Sequence, residues 1–318
     1  MSPAPSREPA SGGPHAQTWY PVALSEEVHE RPLGVDFLGA RVAVYRRASG
    51  APVVLGARCP HMGADLSQGE VVGDELRCMF HHFRYGPDGR CAGVPSGEPP
   101  PRAARVASYP TAECWGLVWA FNGPQPLFAP PALRGWEESQ LAVRARRTDV
   151  FPVEPWVILA NSFDFQHLRY VHGLAFDFDV EQLRWVDDYH VEYDIEFHAA
   201  RMGSFEQSIR VCGINTVSYV TRGAVDSMGI FSATPTGRGS QSFYVAATPP
   251  GPGIEERLAF QEKLADALLA DDVRSFTGMR FHEGTLIGAD RALRLYFDWV
   301  RRFPTWEPAR HRAPSRVA

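Results

Sequence analysis

From Thr18 to about Gly123, apolar positions come in short runs separated by turn residues. Arg41-Val42-Ala43-Val44-Tyr45 and Val53-Val54-Leu55-Gly56-Ala57 flank Ser49-Gly50-Ala51-Pro52, which predicts a hairpin. Val71 to Leu76 carries a Gly-Asp turn, Gly86-Pro87-Asp88-Gly89 is another turn, and Gly116 to Phe121 reads as a buried strand. These features predict a small all-β unit. A Pro-rich stretch, residues 124–136, then marks a linker. Beyond it the periodicity changes. Trp156 to His172 reads as a helix, while Val191, Tyr193, Ile195 and Phe197 alternate with His190, Glu192, Asp194 and Glu196 in strand period. Further strands are predicted at Ser208–Val220 and Ser242–Ala247, and helices at Ile254–Phe276 and Ala289–Arg301. The fold class is therefore α+β. An all-β domain at 18–123 precedes a second domain at 137–304 with an antiparallel sheet flanked by helices. Residues 1–17, rich in Pro, Ser, Gly and Ala, are expected to be a flexible tail, and 305–318 a C-terminal tail.

Composition narrows the function classes. The chain has 318 residues, 44% hydrophobic and 22% charged, with a net charge of −5. This balance supplies no basic surface for nucleic acid or an anionic membrane. Lys263 is the single lysine, so a Gly-Lys-Ser/Thr phosphate loop is excluded. No run of eighteen apolar residues appears, and the expectation is a protein of the reducing cytoplasm, neither membrane- nor nucleic-acid-bound. Five cysteines, an odd number, do not form a disulfide framework.

Two clusters carry chemistry. In the first, Cys59-Pro60-His61 and Cys78-Met79-Phe80-His81 each follow a strand-like segment and open a Gly-containing loop. Thiolate and imidazole suit iron or zinc, and two loops offering one of each match a [2Fe-2S] centre with two thiolates on one iron and two histidines on the other. A structural zinc site takes the same four ligands. His82 adds an imidazole next to His81, although the spacing favours His81. In the second cluster, Asp164 and His167 fall on one helix face, whereas His167 and His172 are five apart, about 140° around an ideal helix. A shared metal therefore requires the helix to end or bulge between them.

Cys59-Pro60-His61-Met62-Gly63-Ala64-Asp65-Leu66-Ser67, Cys78-Met79-Phe80-His81 and Asp88-Gly89-Arg90-Cys91 resemble the Rieske domain of the non-haem iron ring-hydroxylating oxygenases. The Asp164-x2-His167-x4-His172 segment is similar to their catalytic motif, and the resemblance runs from about Trp19 to Phe303. It implies that Cys59 and Cys78 bind one cluster iron and His61 and His81 the other. It further implies that His167 and His172 hold a mononuclear Fe(II) with dioxygen as co-substrate, and that Asp164 links His167 to the cluster of a neighbouring subunit.

A third, carboxylate ligand lies elsewhere. Leu264, Leu268, Asp272 and Phe276 recur every four residues, placing Asp272 on an apolar face and Asp271 off it. The family's pattern, an acidic pair with the second acid as ligand, also selects Asp272. Glu283 and Asp290 are weaker alternatives. The segment 289–301 looks like the C-terminal helix of members built from a single subunit type, such as vanillate-type O-demethylases and saxitoxin-pathway-type hydroxylases. That likeness implies a head-to-tail homotrimer.

The implied function is a terminal oxygenase that hydroxylates or oxidatively dealkylates a small aromatic or polycyclic substrate. No Gly-x-Gly-x-x-Gly fingerprint occurs, so NAD(P)H enters only through a separate reductase, with or without a ferredoxin. The alternative is a Rieske electron carrier without oxygenase activity. Phe163, Phe165, Tyr170, Met202, Phe205, Met228, Phe231 and Phe276 are candidates for an apolar substrate pocket, with Arg201 or Arg210 as an anchor for an anionic one. Cys91, Cys114 and Cys212 receive no role.

Overall fold

The computed structural model describes residues 14–199, 203–224, 226–237 and 239–307. In the N-terminal unit the predicted hairpin pairs Ala40–Arg46 with Pro52–Gly56, Val44 opposite Val54. Ser108–Tyr109 and Leu33–Phe37 extend it to four antiparallel strands. A three-stranded sheet joins Thr111–Cys114, Leu117–Phe121 and Trp19–Leu24, and a small four-stranded sheet runs from Glu70 to Gly93.

The second unit is built on one seven-stranded antiparallel sheet. From one edge to the other its strands are Ala142–Phe151, Gly239–Thr248, Ser227–Thr236, Thr216–Gly223, Gly203–Cys212, His190–Ala199 and Arg184–Trp185. The predicted strand Ser208–Val220 is in fact two, folded back on each other through Gly213, whose φ is +60°. The edge strand Ala142–Phe151 escaped the sequence reading because arginines fill its alternate positions. Arg144 pairs with Glu255 and Glu262, and Arg146 with Asp266. All three acids lie on α3 (Ile254–Phe276), so these pairs fasten that helix across the sheet edge.

The predicted helix Trp156–His172 is interrupted. It consists of α1 (Pro155–Leu159), a 3-10 turn (Ala160–Ser162) and α2 (Phe165–Tyr170). Asp164 caps α2 by accepting a hydrogen bond from the His167 backbone N–H (2.9 Å). The final helix, α4 (Arg291–Arg302), lies beneath this segment. Its Tyr296 stacks on Phe163 (4.6 Å between centroids) and donates to Trp156 O at 2.7 Å.

The helices that flank the large sheet lie on one of its faces. Val191, Tyr193, Ile195 and Phe197 pack with α4, while Tyr244 and Ala246 pack with α3. On the opposite face Val220, Met228, Ile230, Phe243 and Val245 share a core with Trp19, Trp115, Trp119 and Phe121 of the N-terminal unit. Buried hydrogen bonds from Asn215 Nδ2 to Trp19 O (2.9 Å) and from Thr234 Oγ1 to Pro21 O (2.6 Å) tie the two units together. Residues 124–136 contain no regular structure but are packed along this junction. Trp19 Nε1 donates to Phe128 O, Trp115 Nε1 to Pro131 O, and Arg134 pairs with Asp194.

Part of each expected tail is ordered. His15–Ala16 pairs with Thr305–Trp306, and Ala16 is buried. The rest of both tails, residues 1–13 and 308–318, lies outside the described residues. None of the described helices is long and apolar enough to cross a membrane.

Candidate metal centres

The first cluster rests on two loops with the same backbone bonding. In one, Cys59 N–H donates to Ala64 O (2.9 Å) and Gly63 N–H to Cys59 O (2.8 Å). In the other, Cys78 N–H donates to Phe83 O (2.9 Å) and His82 N–H to Cys78 O (3.1 Å). The fifth residue of each loop is left-handed, Gly63 at φ +78° and His82 at φ +55°. His82 thus occupies the turn position that glycine fills in the other loop, at a steric cost of about 1 kcal/mol. Its neighbour His81 faces His61 instead, with ring centroids 4.6 Å apart. Phe83 stacks on His61.

Depth sorts the donors by type. Cys59 and Cys78 are buried free thiols, while His61 is exposed and His81 half-buried. Burial pushes the Cys59 thiol above its ordinary value, and nearby Cys78 adds to this against the lowering contact with Tyr85 OH (3.1 Å). No three of the four donor atoms come within 4.8 Å of one another. A single tetrahedral zinc would draw them closer than that. Two thiols inside and two imidazoles outside suit a cluster with two metal atoms. Met62, Met79 and Phe80, in the same two loops, are each more than half exposed, and Phe80 packs on the His81 ring.

The second cluster is tight. His167 Nε2 lies 2.9 Å from Asp272 Oδ1, His172 Nε2 lies 3.4 Å from the same oxygen, and the two Nε2 atoms are 3.0 Å apart. Among the described residues this is the one group of three or more His, Cys, Asp or Glu side chains whose donor atoms gather within 4.8 Å. His172 stands beyond the C-terminus of α2, so the helix ends between the two histidines and both can face one point. Burial pushes the Asp272 carboxyl up, but hydrogen bonds with His167 and His172 outweigh it, and the net shift is downward. Asn161 Nδ2 also donates to Asp272 Oδ1 at 3.1 Å, a contact the sequence reading did not identify.

Two imidazole nitrogens and an ionised carboxylate oxygen facing one point fit a divalent metal, and non-haem Fe(II) centres use a donor set of this composition. His172 Nδ1 is buried without a hydrogen-bond partner. The nearest carboxylate to it, Asp271 Oδ2, is 4.0 Å away and belongs to an ion pair with Arg274. The weaker alternatives are elsewhere: Glu283 pairs with Arg301, and Asp290 accepts from Gln166. The Asp164 carboxylate reaches the His167 backbone and not its ring.

A cavity of about 250 Å³ opens against His167, His172 and Asp272. Of the residues expected around a substrate, Phe205 and Phe231 line it. Three of the others serve packing. Phe163 stacks on Tyr296, Phe165 packs on Phe178, and Phe276 packs on Phe151. Met228 lies on the opposite sheet face, and Tyr170 is 82% exposed. Arg210 is paired with Glu192, also on that opposite face, and Arg201 and Met202 lie outside the described residues.

A third constellation, Cys212–His190–Asp187, has the order of a nucleophilic triad. Cys212 Sγ is 3.5 Å from His190 Nε2, and His190 Nδ1 is 2.9 Å from the Asp187 carboxylate. Burial pushes the Cys212 thiol up to about 12, so it is a protonated packing residue and not a nucleophile.

Residues 18–110 match the Rieske [2Fe-2S] domain. The chain is 30% identical over 171 residues to a 3-ketosteroid-9-alpha-monooxygenase, oxygenase component, of Rhodococcus rhodochrous. That match covers 49% of this chain and 43% of the relative. It is 31% identical over 168 residues to the aminopyrrolnitrin oxygenase PrnD of Pseudomonas fluorescens, covering 50% and 46%. These matches span less than half the length of the curated relatives. In three dimensions the chain shares the fold of dicamba monooxygenase bound to dicamba, with a TM-score of 0.69 and 21% identity, over 91% of this chain and 97% of that one. The N-terminal unit is thus a Rieske [2Fe-2S] domain, and the chain is related to oxygenase components.

Proposed function

We propose that this chain is the terminal oxygenase of a multicomponent system, hydroxylating or oxidatively dealkylating a small, largely apolar organic substrate. The observation that carries this reading is the convergence of His167, His172 and Asp272 at the wall of an apolar cavity. An electron carrier needs neither feature, and its task would be complete with the Rieske domain alone.

In this reading Cys59 and Cys78 hold one iron of the cluster and His61 and His81 the other, while His167, His172 and Asp272 hold the mononuclear Fe(II). That iron, when bound, supplies reductive activation of dioxygen. The chain's own residues do the rest. Asp164 sets the start of α2 and so the position of His167. Asn161 orients the Asp272 carboxylate, and the Arg144 and Arg146 ion pairs hold α3 so that Asp272 meets both histidines. Leu264, Leu268 and Leu269 present apolar surface to the substrate and exclude water.

Electrons are supplied by a separate reductase. The exposed Met62, Met79 and Phe80 in the loops of His61 and His81 support a docked state in which the cluster meets another protein surface. We assign that surface to the iron site of the next subunit in a homotrimer, with Asp164 on the electron path. The test is iron analysis, electron paramagnetic resonance and product profiling with a surrogate reductase. The expected result is a brown protein with about three irons per chain and dioxygen-dependent product. A colourless zinc protein, or a cluster without the third iron, overturns the proposal.

A further inference from the structure

One hydrogen-bonding device in the cavity wall has no part in metal binding. Tyr219 OH and Tyr244 OH lie 2.8 Å apart, and both residues line the cavity. They stand on strands separated by Ser227–Thr236, where Gly229 is the residue opposite Tyr219. A Cβ on Gly229 would come 2.8 Å from the Tyr219 oxygen and 2.8 Å from Val245 O, both closer than side-chain carbons approach. The missing side chain at Gly229 lets the Tyr219 phenol lie across the strand and reach Tyr244.

Two phenols carry two O–H hydrogens, and the bond between them uses one. No described residue supplies an acceptor for the other. Both phenols remain protonated, since burial pushes Tyr219 up to about 12 and Tyr244 higher still. A donor left without a partner in an apolar cavity costs stability unless a ligand accepts from it. Nearby, Gln207 Nε2 donates to Thr221 Oγ1 (3.0 Å), leaving the Gln207 carbonyl oxygen free of side-chain partners. Most of the remaining wall is aliphatic or aromatic. Among its described residues the ionisable groups besides the two phenols are Tyr193, whose hydroxyl already donates to Ser162 O, and Asp272 with the two histidines it contacts. No described arginine or lysine lines the cavity to pair with an anionic substrate.

We propose that the Tyr219–Tyr244 pair is the specificity element of this cavity and selects an uncharged, largely apolar substrate through one carbonyl-type oxygen. The inference rests on the cavity being the substrate site, as proposed above.

The test measures binding without turnover, by calorimetry on the iron-loaded protein under argon. The probes are 1-tetralone, its deoxygenated counterpart tetralin, and 1-naphthoate. The expected result is that tetralone binds roughly fivefold or more tightly than tetralin, the scale of one net hydrogen bond, with naphthoate weakest. The double variant Tyr219→Phe/Tyr244→Phe brings tetralone to within about twofold of tetralin while tetralin binding holds. Each single variant loses less, since the remaining phenol still carries an O–H. Gly229→Ala, which displaces Tyr219 with both hydroxyls present, also narrows the ratio. Equal binding of tetralone and tetralin, a ratio unchanged in the double variant, naphthoate as the tightest probe, or no binding of any probe overturns the proposal. Ketone-selective binding in a protein without dioxygen-dependent turnover overturns the oxygenase reading alone. Turnover of apolar compounds without ketone preference overturns this inference alone.

Discussion

His167 Nε2 stands 2.9 Å from Asp272 Oδ1, although one residue lies in a six-residue helix and the other near the end of a long helix packed against a different sheet edge. Neither helix alone brings the pair together. The Arg144 and Arg146 ion pairs hold the second helix to the sheet, and Tyr296 braces the segment leading into the first. Removing the carboxylate therefore isolates the mononuclear site. Asp272→Ala is expected to lower the iron content from about three to about two per chain while the resonance signal of the reduced cluster persists. Loss of both iron pools together would show that the two centres do not form independently.

Asp164 joins a structural role to a proposed electronic one, and the two are separable. Asparagine caps a helix as well as aspartate does, so Asp164→Asn preserves α2. The expected outcome is an unchanged thermal midpoint and iron content, a reducible cluster, and turnover lowered at least tenfold. Single-turnover kinetics with pre-reduced protein checks this. Unchanged turnover removes Asp164 from the electron path.

The adjacent histidines differ in backbone conformation, which gives opposite expectations. His82→Gly relieves a left-handed residue and should keep the cluster spectrum, with stability equal to or up to about 1 kcal/mol above the parent. His81→Ala should abolish the characteristic visible absorption. Visible spectra and denaturant midpoints of the two variants decide the matter, and cluster loss in His82→Gly would reassign the ligand.

Asp65 provides a pH-dependent contribution to the loop between the cluster donors. Burial raises its carboxyl, but bonds from Ser67 Oγ (2.7 Å), Ser67 N–H (2.9 Å) and Arg41 (2.8 Å) outweigh it and hold the group below the usual carboxylate range. A depressed folded-state value stabilises above the unfolded value, near 4, and the contribution is lost as pH falls through the folded value. Asp65→Asn should therefore cost about 1–2 kcal/mol at pH 7, with the difference shrinking below about pH 4. Urea midpoints across that range test the sign. A gap that widens in acid contradicts it.

Several features of the site were legible because short spacing encodes local contact. The two thiols and two imidazoles sit within compact loops, so residue type and order suffice to pair them. His167 and His172 lie within one short segment, and the i, i+4 phase of Leu264, Leu268 and Asp272 separates Asp272 from Asp271. What spacing could not encode was direction across neighbouring strands. Phe163, Phe165 and Phe276 are as apolar as Phe205 and Phe231, yet the former pack in the core and the latter line the cavity.

By itself the chain's sequence determined the α+β class with the all-β unit first, and it supplied the donor residues of the proposed metal sites, since each follows from local composition and period. The tertiary structure alone decided that His82 takes a glycine's turn position, because its φ depends on the whole loop. It likewise decided that the N-terminal unit covers one face of the large sheet. The Tyr219–Tyr244 bond exists because strand register sets Gly229 opposite Tyr219, leaving room for its phenol to cross the strand. Register is settled by pairing across the whole sheet, and no single segment contains that information.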